Sequence, residues 1–139
     1  MASVALYTRE VLQLATGLAE FTWDEALPLK GAARSRSCGS TLELGLSLDA
    51  EGRIERVALR SQACAIGQAA AAIFGRAAPG MTGEQIDRAY VQLQAWLGGE
   101  DRLPDWPGLD AIAAARDYPG RHGAILLAWQ AASDMLAKR

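Results

Sequence analysis

Residues 38 to 76 read CGSTLELGLSLDAEGRIERVALRSQACAIGQAAAAIFGR, and the fold is decided in this stretch. From Thr41 to Asp49 the chain alternates, with Leu42, Leu44, Leu46 and Leu48 on one face and polar or small residues between them. That period of two belongs to a strand with one buried face. Asp49-Ala50-Glu51-Gly52 is a turn signal, and Gly52 is available for a positive φ. Arg53 to Gln62 returns as a second strand with Val57 and Leu59 in phase. Pairing Leu48 with Arg53 across the turn sets Leu44 against Val57 and Leu42 against Leu59. Ile54 falls on the opposite parity, which implies a bulge or a second, partly covered face. Carried to the open end, the same register brings Cys38 within one residue of the position opposite Cys64. The two cysteines of the chain therefore converge at one end of the hairpin, and this is the main clue to function. A register displaced by two or more residues removes that argument for a shared site.

After Cys64 the pattern changes to Ala65-Ile66-Gly67-Gln68-Ala69-Ala70-Ala71-Ala72-Ile73-Phe74. Alanine favours helix, and its small side chain lets a helix lie close to a sheet. Pro79-Gly80 ends the run. Cys64 thus stands at a strand-to-helix junction, where free N–H groups and the helix dipole favour an anion, so it is expected to be the more acidic thiol.

Upstream, Val4, Tyr7, Val11, Leu14, Leu18 and Phe21 form one stripe of an amphipathic helix over residues 4 to 20. Thr22 to Ser37 reads as an irregular connection, with a short third strand around Ala33 to Arg36. Downstream, Thr82 and Gln85 make a capping box for a helix whose core face is Ile86, Ala89, Tyr90, Leu93 and Leu97, ended by Gly98-Gly99. Glu100 to Pro107 reads as a loop. A short helix over Leu109 to Ala115 is broken by Tyr118-Pro119-Gly120. A last helix from about Arg121 to Ala137 carries Ile125, Ala128, Trp129, Ala132, Met135 and Leu136 on one stripe. The sum is one α+β domain over residues 1–139, a small antiparallel sheet packed against about five helices.

Composition narrows the function classes. Half of the 139 residues are hydrophobic and the net charge is −2, so nothing drives the chain as a whole toward nucleic acid or an acidic membrane. Arg34, Arg36, Arg53, Arg56 and Arg60 cluster around the hairpin, either as a solvated strand face or as a docking surface for an acidic partner. The longest weakly polar run, Ala63 to Phe74, is too short to span a bilayer. Arg9 and Glu10 interrupt the N-terminal apolar pattern, which argues against a signal peptide. A cytoplasmic location is the resulting expectation. There, two cysteines act more often as thiols or metal ligands than as a structural disulfide.

The order of segments and their local motifs resemble the NifU-like and SufU-like iron–sulfur cluster assembly scaffolds. Tyr7-Thr8-Arg9-Glu10-Val11-Leu12 looks like the family's opening helix, and Cys38-Gly39-Ser40 like its first ligand motif, Cys-Gly-Asp. Ala63-Cys64-Ala65-Ile66-Gly67-Gln68-Ala69-Ala70-Ala71 resembles the second motif, roughly Gly-Cys-Ala-Ile-Ser-Gln-Ala-Ser-Ala. Tyr118-Pro119-Gly120-Arg121-His122-Gly123-Ala124, followed by Trp129, resembles the third, in which an arginine precedes a cysteine that opens the last helix. The match covers nearly the whole chain. The departures are as definite. The third family cysteine falls on Ala124, the lysine or histidine before it on Gly123, and the aspartate on Ser40. Of the family's ligand set, Cys38 and Cys64 remain.

The resemblance implies the NifU-like scaffold fold and a carrier rather than an enzyme. It also implies an iron–sulfur cluster or zinc held by Cys38 and Cys64, with a cysteine desulfurase or another assembly protein as partner. The missing donors would come from His122, water, a partner or a second subunit. His122, the only histidine, has two other readings: a surface or helix-capping role, and polar contacts near the site. Two competing functions stand beside the scaffold. One is an interaction or regulatory protein of the desulfurase system that binds no metal. The other is a thiol-based enzyme or redox sensor, with Cys38 and Cys64 cycling between dithiol and disulfide.

Overall fold

The computed structural model describes residues 6–36 and 38–137. Three strands, β1 (Leu29–Arg34), β2 (Thr41–Leu48) and β3 (Ile54–Gln62), form an antiparallel sheet in the order β1-β2-β3. The third strand expected from the sequence is present but starts earlier, at Leu29. Leu29, Gly31 and Ala33 pair with Leu46, Leu44 and Leu42, so only two of its three inward positions carry apolar side chains and the alternation is faint.

The expected hairpin register is corrected. Leu44 pairs with Leu59, Leu46 with Val57 and Leu42 with Ser61, two residues further along β3 than the simple turn implies. One residue enters at the turn, where Asp49 Oδ1 accepts from the Glu51 and Arg53 amides at 2.9 Å and Leu48 comes to face Ile54. The second enters as a bulge between Ser47 and Leu48, which leaves Ile54 buried as its parity demanded. A displacement of two preserves parity, so the leucine face stays buried in either register.

Both sides of the sheet are covered in part. On the inner face, a Cβ at Gly31 would lie 3.0 Å from Met135 Cε of the last helix, α4 (His122–Ala137), so glycine permits that close contact. On the outer face, Leu27 packs over Gly45, where a Cβ would lie 3.0 Å from Leu27 Cδ1. The rest of the outer face is charged. Arg60 pairs with Glu43 at 2.8 Å and lies over the Trp23 ring at 4.2 Å, and Arg56 meets Asp24 at 2.9 Å. Arg53 donates to the Gly80 carbonyl at 3.0 Å. Three arginines of the basic cluster are thus engaged within the chain, as on a solvated strand face. Such exposed pairs contribute little to stability.

Helix α1 runs from Arg9 to Gly17 and continues as a 3₁₀ turn, Leu18–Glu20. The expected start at residue 4 lies outside the described residues, and Thr8 sets the observed one: its hydroxyl accepts from the Val11 amide at 3.1 Å. Helix α2 (Ala65–Ala77) is the centre of the packing, with a continuous buried run from Ala69 to Gly75. A Cβ at Gly75 would lie 2.8 Å from the Phe21 ring, so α1's exit and α2 meet without a side chain between them. Helix α3 (Gly83–Leu97) starts at the expected Thr82–Gln85 capping box. The fourth expected helix, over Leu109 to Ala115, is a kinked 3₁₀ stretch, Leu109–Asp117. The loop before it is not a surface connection throughout. Trp106 is buried, stacks on Phe74 at 5.5 Å and donates its indole N–H to the Ile73 carbonyl at 3.0 Å. Trp129 closes the cluster edge-on, 5.4 Å from Phe74 and 5.3 Å from Trp106.

Candidate functional site

The turn between β1 and β2 is closed by backbone bonds from Ser35 N to Ser40 O (2.8 Å) and from Gly39 N to Ser35 O (2.9 Å). Gly39 has φ +72°, a left-handed conformation that glycine adopts freely. This tight closure raises Cys38 to the rim, exposed, while Ser35 and Ser40 on either side of it are buried. Both hydroxyls meet the sulfur. Cys38 Sγ lies 3.3 Å from Ser35 Oγ, to which the thiol donates, and 3.1 Å from Ser40 Oγ. Once the proton is gone, the thiolate accepts hydrogen bonds from these hydroxyls. They hold the Cys38 thiol below its ordinary value, Ser35 first and Ser40 second, with partial burial opposing them and Arg121 assisting.

Cys64 is half-buried at the N-cap of α2, without a side-chain cap hydrogen bond. Gln68 fixes the junction by donating to the Ala63 carbonyl at 3.0 Å. A Cβ at Gly67 would lie 2.9 Å from the Ala63 Cβ and 3.1 Å from the Ala124 Cβ, so α2 and α4 meet closely beside Cys64. Ala124, which the resemblance matches to a family cysteine, is therefore close to this turn of α2 and buried.

The displaced register pairs Thr41 with Gln62, so Cys38 and Cys64 still leave the β2–β3 ladder at the same end, Cys38 again within one residue of the position opposite Cys64. Arg121 immediately precedes α4. Its guanidinium interacts electrostatically with both Cys64 and Cys38, and Nη2 donates to the Tyr7 hydroxyl at 3.1 Å. These contacts, Tyr7 foremost, hold Arg121 in its charged form. Sequence reasoning noted Arg121 only as a family position and missed Ser35. The signal for Ser35 was its place at the end of β1, where a turn hydroxyl readily reaches the loop.

His122 is half-buried and turned to the backbone: Nε2 lies 2.7 Å from the Arg116 carbonyl. A carbonyl only accepts, so Nε2 carries a proton and donates, which ties the start of α4 to the end of the 3₁₀ stretch. Among the described residues no three of His, Cys, Asp and Glu gather as a metal site, and the residues outside that set include none of these four types. A tetrahedral zinc or a cluster takes about four such donors. The donor set of this chain alone does not fit one.

Two thiol measurements follow. In a Cys64→Ser background, alkylation of Cys38 is expected to reach half-maximal rate at a lower pH than a free thiol, and Ser35→Ala to move that midpoint up. The lowered value also gives a sign for stability. Its contribution is present above the unfolded thiol's pKa and is lost as pH falls through the folded value. An unshifted midpoint in both proteins would refute the role of the two hydroxyls. In the unaltered chain, one equivalent of hydrogen peroxide is expected to join Cys38 and Cys64, releasing two waters. Mass spectrometry after alkylation reads the result. Two alkylated thiols with no cross-link would mean that the sulfurs point apart.

No protein-family model and no curated protein matches this sequence. Solved structures do match over the whole fold. The N-terminal part of a nitrogen-fixing NifU-like protein from Brucella abortus is 26% identical, with a TM-score of 0.84 over 96% of this chain and 93% of that one. A protein described as the iron–sulfur cluster assembly scaffold for the SUF system of Fervidobacterium islandicum AW-1 is 20% identical, with a TM-score of 0.85 over 97% and 99%. A further hypothetical protein has a TM-score of 0.71 at 18% identity. The fold of this chain is the α+β fold of the NifU-like and SufU scaffold structures. No described helix is long and apolar enough to cross a membrane.

Proposed function

We propose that this protein is a scaffold-like carrier in iron–sulfur cluster assembly that holds metal or cluster cargo through Cys38 and Cys64. The remaining donors come from outside the pair: water, a partner protein, a second copy of the chain, or His122 through Nδ1. The observation that supports this reading is a NifU-like fold in which Cys38 and Cys64 leave the β2–β3 ladder at the same end. Zinc at the same sulfurs is the resting alternative to iron. The partner is a cysteine desulfurase or another assembly protein, and neither nucleic acid nor a membrane is invoked. The protein transports cargo and turns over no substrate of its own.

The test is anaerobic loading of the full chain with a cysteine desulfurase, cysteine and ferrous iron, followed by gel filtration. Chain-bound iron and acid-labile sulfide are expected, lost in both Cys38→Ser and Cys64→Ser. Ala124 packed against α2 at Gly67 and Ser40 bonded to Cys38 favour a second reading, an interaction protein of the desulfurase system without metal. That reading requires desulfurase binding that survives both serine substitutions, with no iron or sulfide on the chain.

A further inference from the structure

The two edges of the sheet differ. β3 is closed by the chain itself: Leu59 donates its amide to the Phe21 carbonyl at 3.0 Å, Ile54 donates to the Met81 carbonyl at 2.8 Å, and the Gly80 amide donates to the Ile54 carbonyl at 2.7 Å. β1 has no such cover among the described residues. Ser35 donates its amide to the Ser40 carbonyl at 2.8 Å, and this pair continues the β1–β2 register beyond Arg34 and Thr41. Bonded pairs alternate along an antiparallel ladder, so Ala33, Gly31 and Leu29 bond to β2. The backbone N–H and C=O groups of Lys30, Ala32 and Arg34 therefore point away from the sheet, as a template for another strand. On the inner side, Leu29, Gly31 and Ala33 are only half-buried, whereas Leu42, Leu44 and Leu46 beside them are buried. The apolar face ends unfinished at this edge.

Charge selects the guest. Arg53, Arg56 and Arg60 of the basic cluster are engaged within the chain, and Lys30 is held by Glu25 at 3.0 Å. Arg34 and Arg36 are exposed and have no hydrogen-bond, carboxylate or ring partner among the described residues. A second copy of the chain does not suit this edge. Two β1 strands paired antiparallel about Ala32 set Lys30 of one copy against Arg34 of the other, and like charges directly opposite are destabilising.

We infer that the free edge of β1 takes up an extended acidic segment of a partner protein as an added strand. The guest's main chain bonds at Lys30, Ala32 and Arg34, and its acidic side chains meet Arg34 and Arg36. Apolar residues between the acidic ones fall on the other face and extend the cover over Leu29 and Ala33. The inference uses neither cysteine, so it stands or falls apart from the proposed cargo.

The probe is an end-capped, fluorescently labelled peptide of alternating glutamate and valine that spans β1, titrated into the full chain and followed by anisotropy. Saturable binding that weakens with salt is expected, with slowed amide hydrogen exchange at Lys30, Ala32 and Arg34. Arg34→Glu combined with Arg36→Glu is expected to weaken binding by about tenfold or more. Both positions are exposed, and circular dichroism shows whether that variant keeps its fold. A peptide N-methylated throughout keeps the charge, lacks the amide donors and is expected not to bind, which tests the edge without altering the protein. No binding of the unmodified peptide, equal binding of the N-methylated one, or equal binding of a peptide with lysine in place of glutamate would each overturn the inference. So would unchanged affinity in the double variant, or protection confined to other strands. A dimer of the chain alone with the same amides protected would assign the edge to a second copy and overturn the acidic guest.

Discussion

Ser40→Asp combined with Ala124→Cys is expected to raise the zinc affinity of the reduced chain by about a hundredfold or more over the natural protein. The two changes place an aspartate and a cysteine at the positions that the resemblance matches to family ligands. Both replaced positions lie where the argument needs them. Ser40 Oγ is 3.1 Å from the Cys38 sulfur, and Ala124 packs against the turn of α2 that follows Cys64. With four donors the ion gains a closed tetrahedral shell, and two additional negative charges outweigh the single positive charge of Arg121. The metal-free double variant is expected to be less stable than the natural chain, because residues 40 and 124 are buried and an unpaired carboxylate is costly there. Zinc should therefore raise its melting temperature while leaving the natural protein nearly unmoved. Competition against a zinc chelator under reducing conditions measures the gain. A folded double variant with no gain would show that position 124 does not aim at the thiols, and the scaffold analogy would fail at the site while holding for the fold.

Trp129→Ala is expected to be the most damaging single change in the core, costing about 3–5 kcal/mol and lowering the melting temperature by roughly 10 °C. Trp129 is 0% exposed and closes the three-ring cluster with Phe74 and Trp106. Removing it leaves a cavity between α2, α4 and the loop that Trp106 anchors through the Ile73 carbonyl. Trp129→Phe should lose less than half as much. It retains an aromatic ring and removes an indole N–H that is buried without a partner among the described residues. Thermal and urea unfolding of both variants provide the comparison. Equal losses would mean that the ring cluster is not what holds α4 against α2.

The local chemistry of this chain was legible in its residues. Leucines at every second position from Leu42 to Leu48 determine a strand with one buried face, and the bulge implied by the parity of Ile54 is present. Alanine after Cys64, the Thr82–Gln85 box and Pro79-Gly80 determine where helices begin and end, because capping and propensity act over a few residues. Those patterns sufficed for the α+β fold and for the resemblance to the NifU-like scaffolds.

What acts across the chain was decided only by the tertiary structure. The register moved by two residues because the turn and the bulge each admitted one, and parity cannot distinguish registers two apart. Trp106 looked like a loop residue, and its burial depends on Phe74 and Trp129, which lie far away in sequence. The site followed the same rule. Cysteine spacing indicated convergence, but the hydroxyls that face the Cys38 sulfur, from Ser35 and Ser40, and the bond from Arg121 to Tyr7, 114 residues away, appear only in the folded chain. His122, a candidate ligand by composition, spends Nε2 on the Arg116 carbonyl. Donor types are a property of the sequence. Where a guanidinium or an imidazole nitrogen points is settled by packing, because each needs a partner that sequence distance does not reveal.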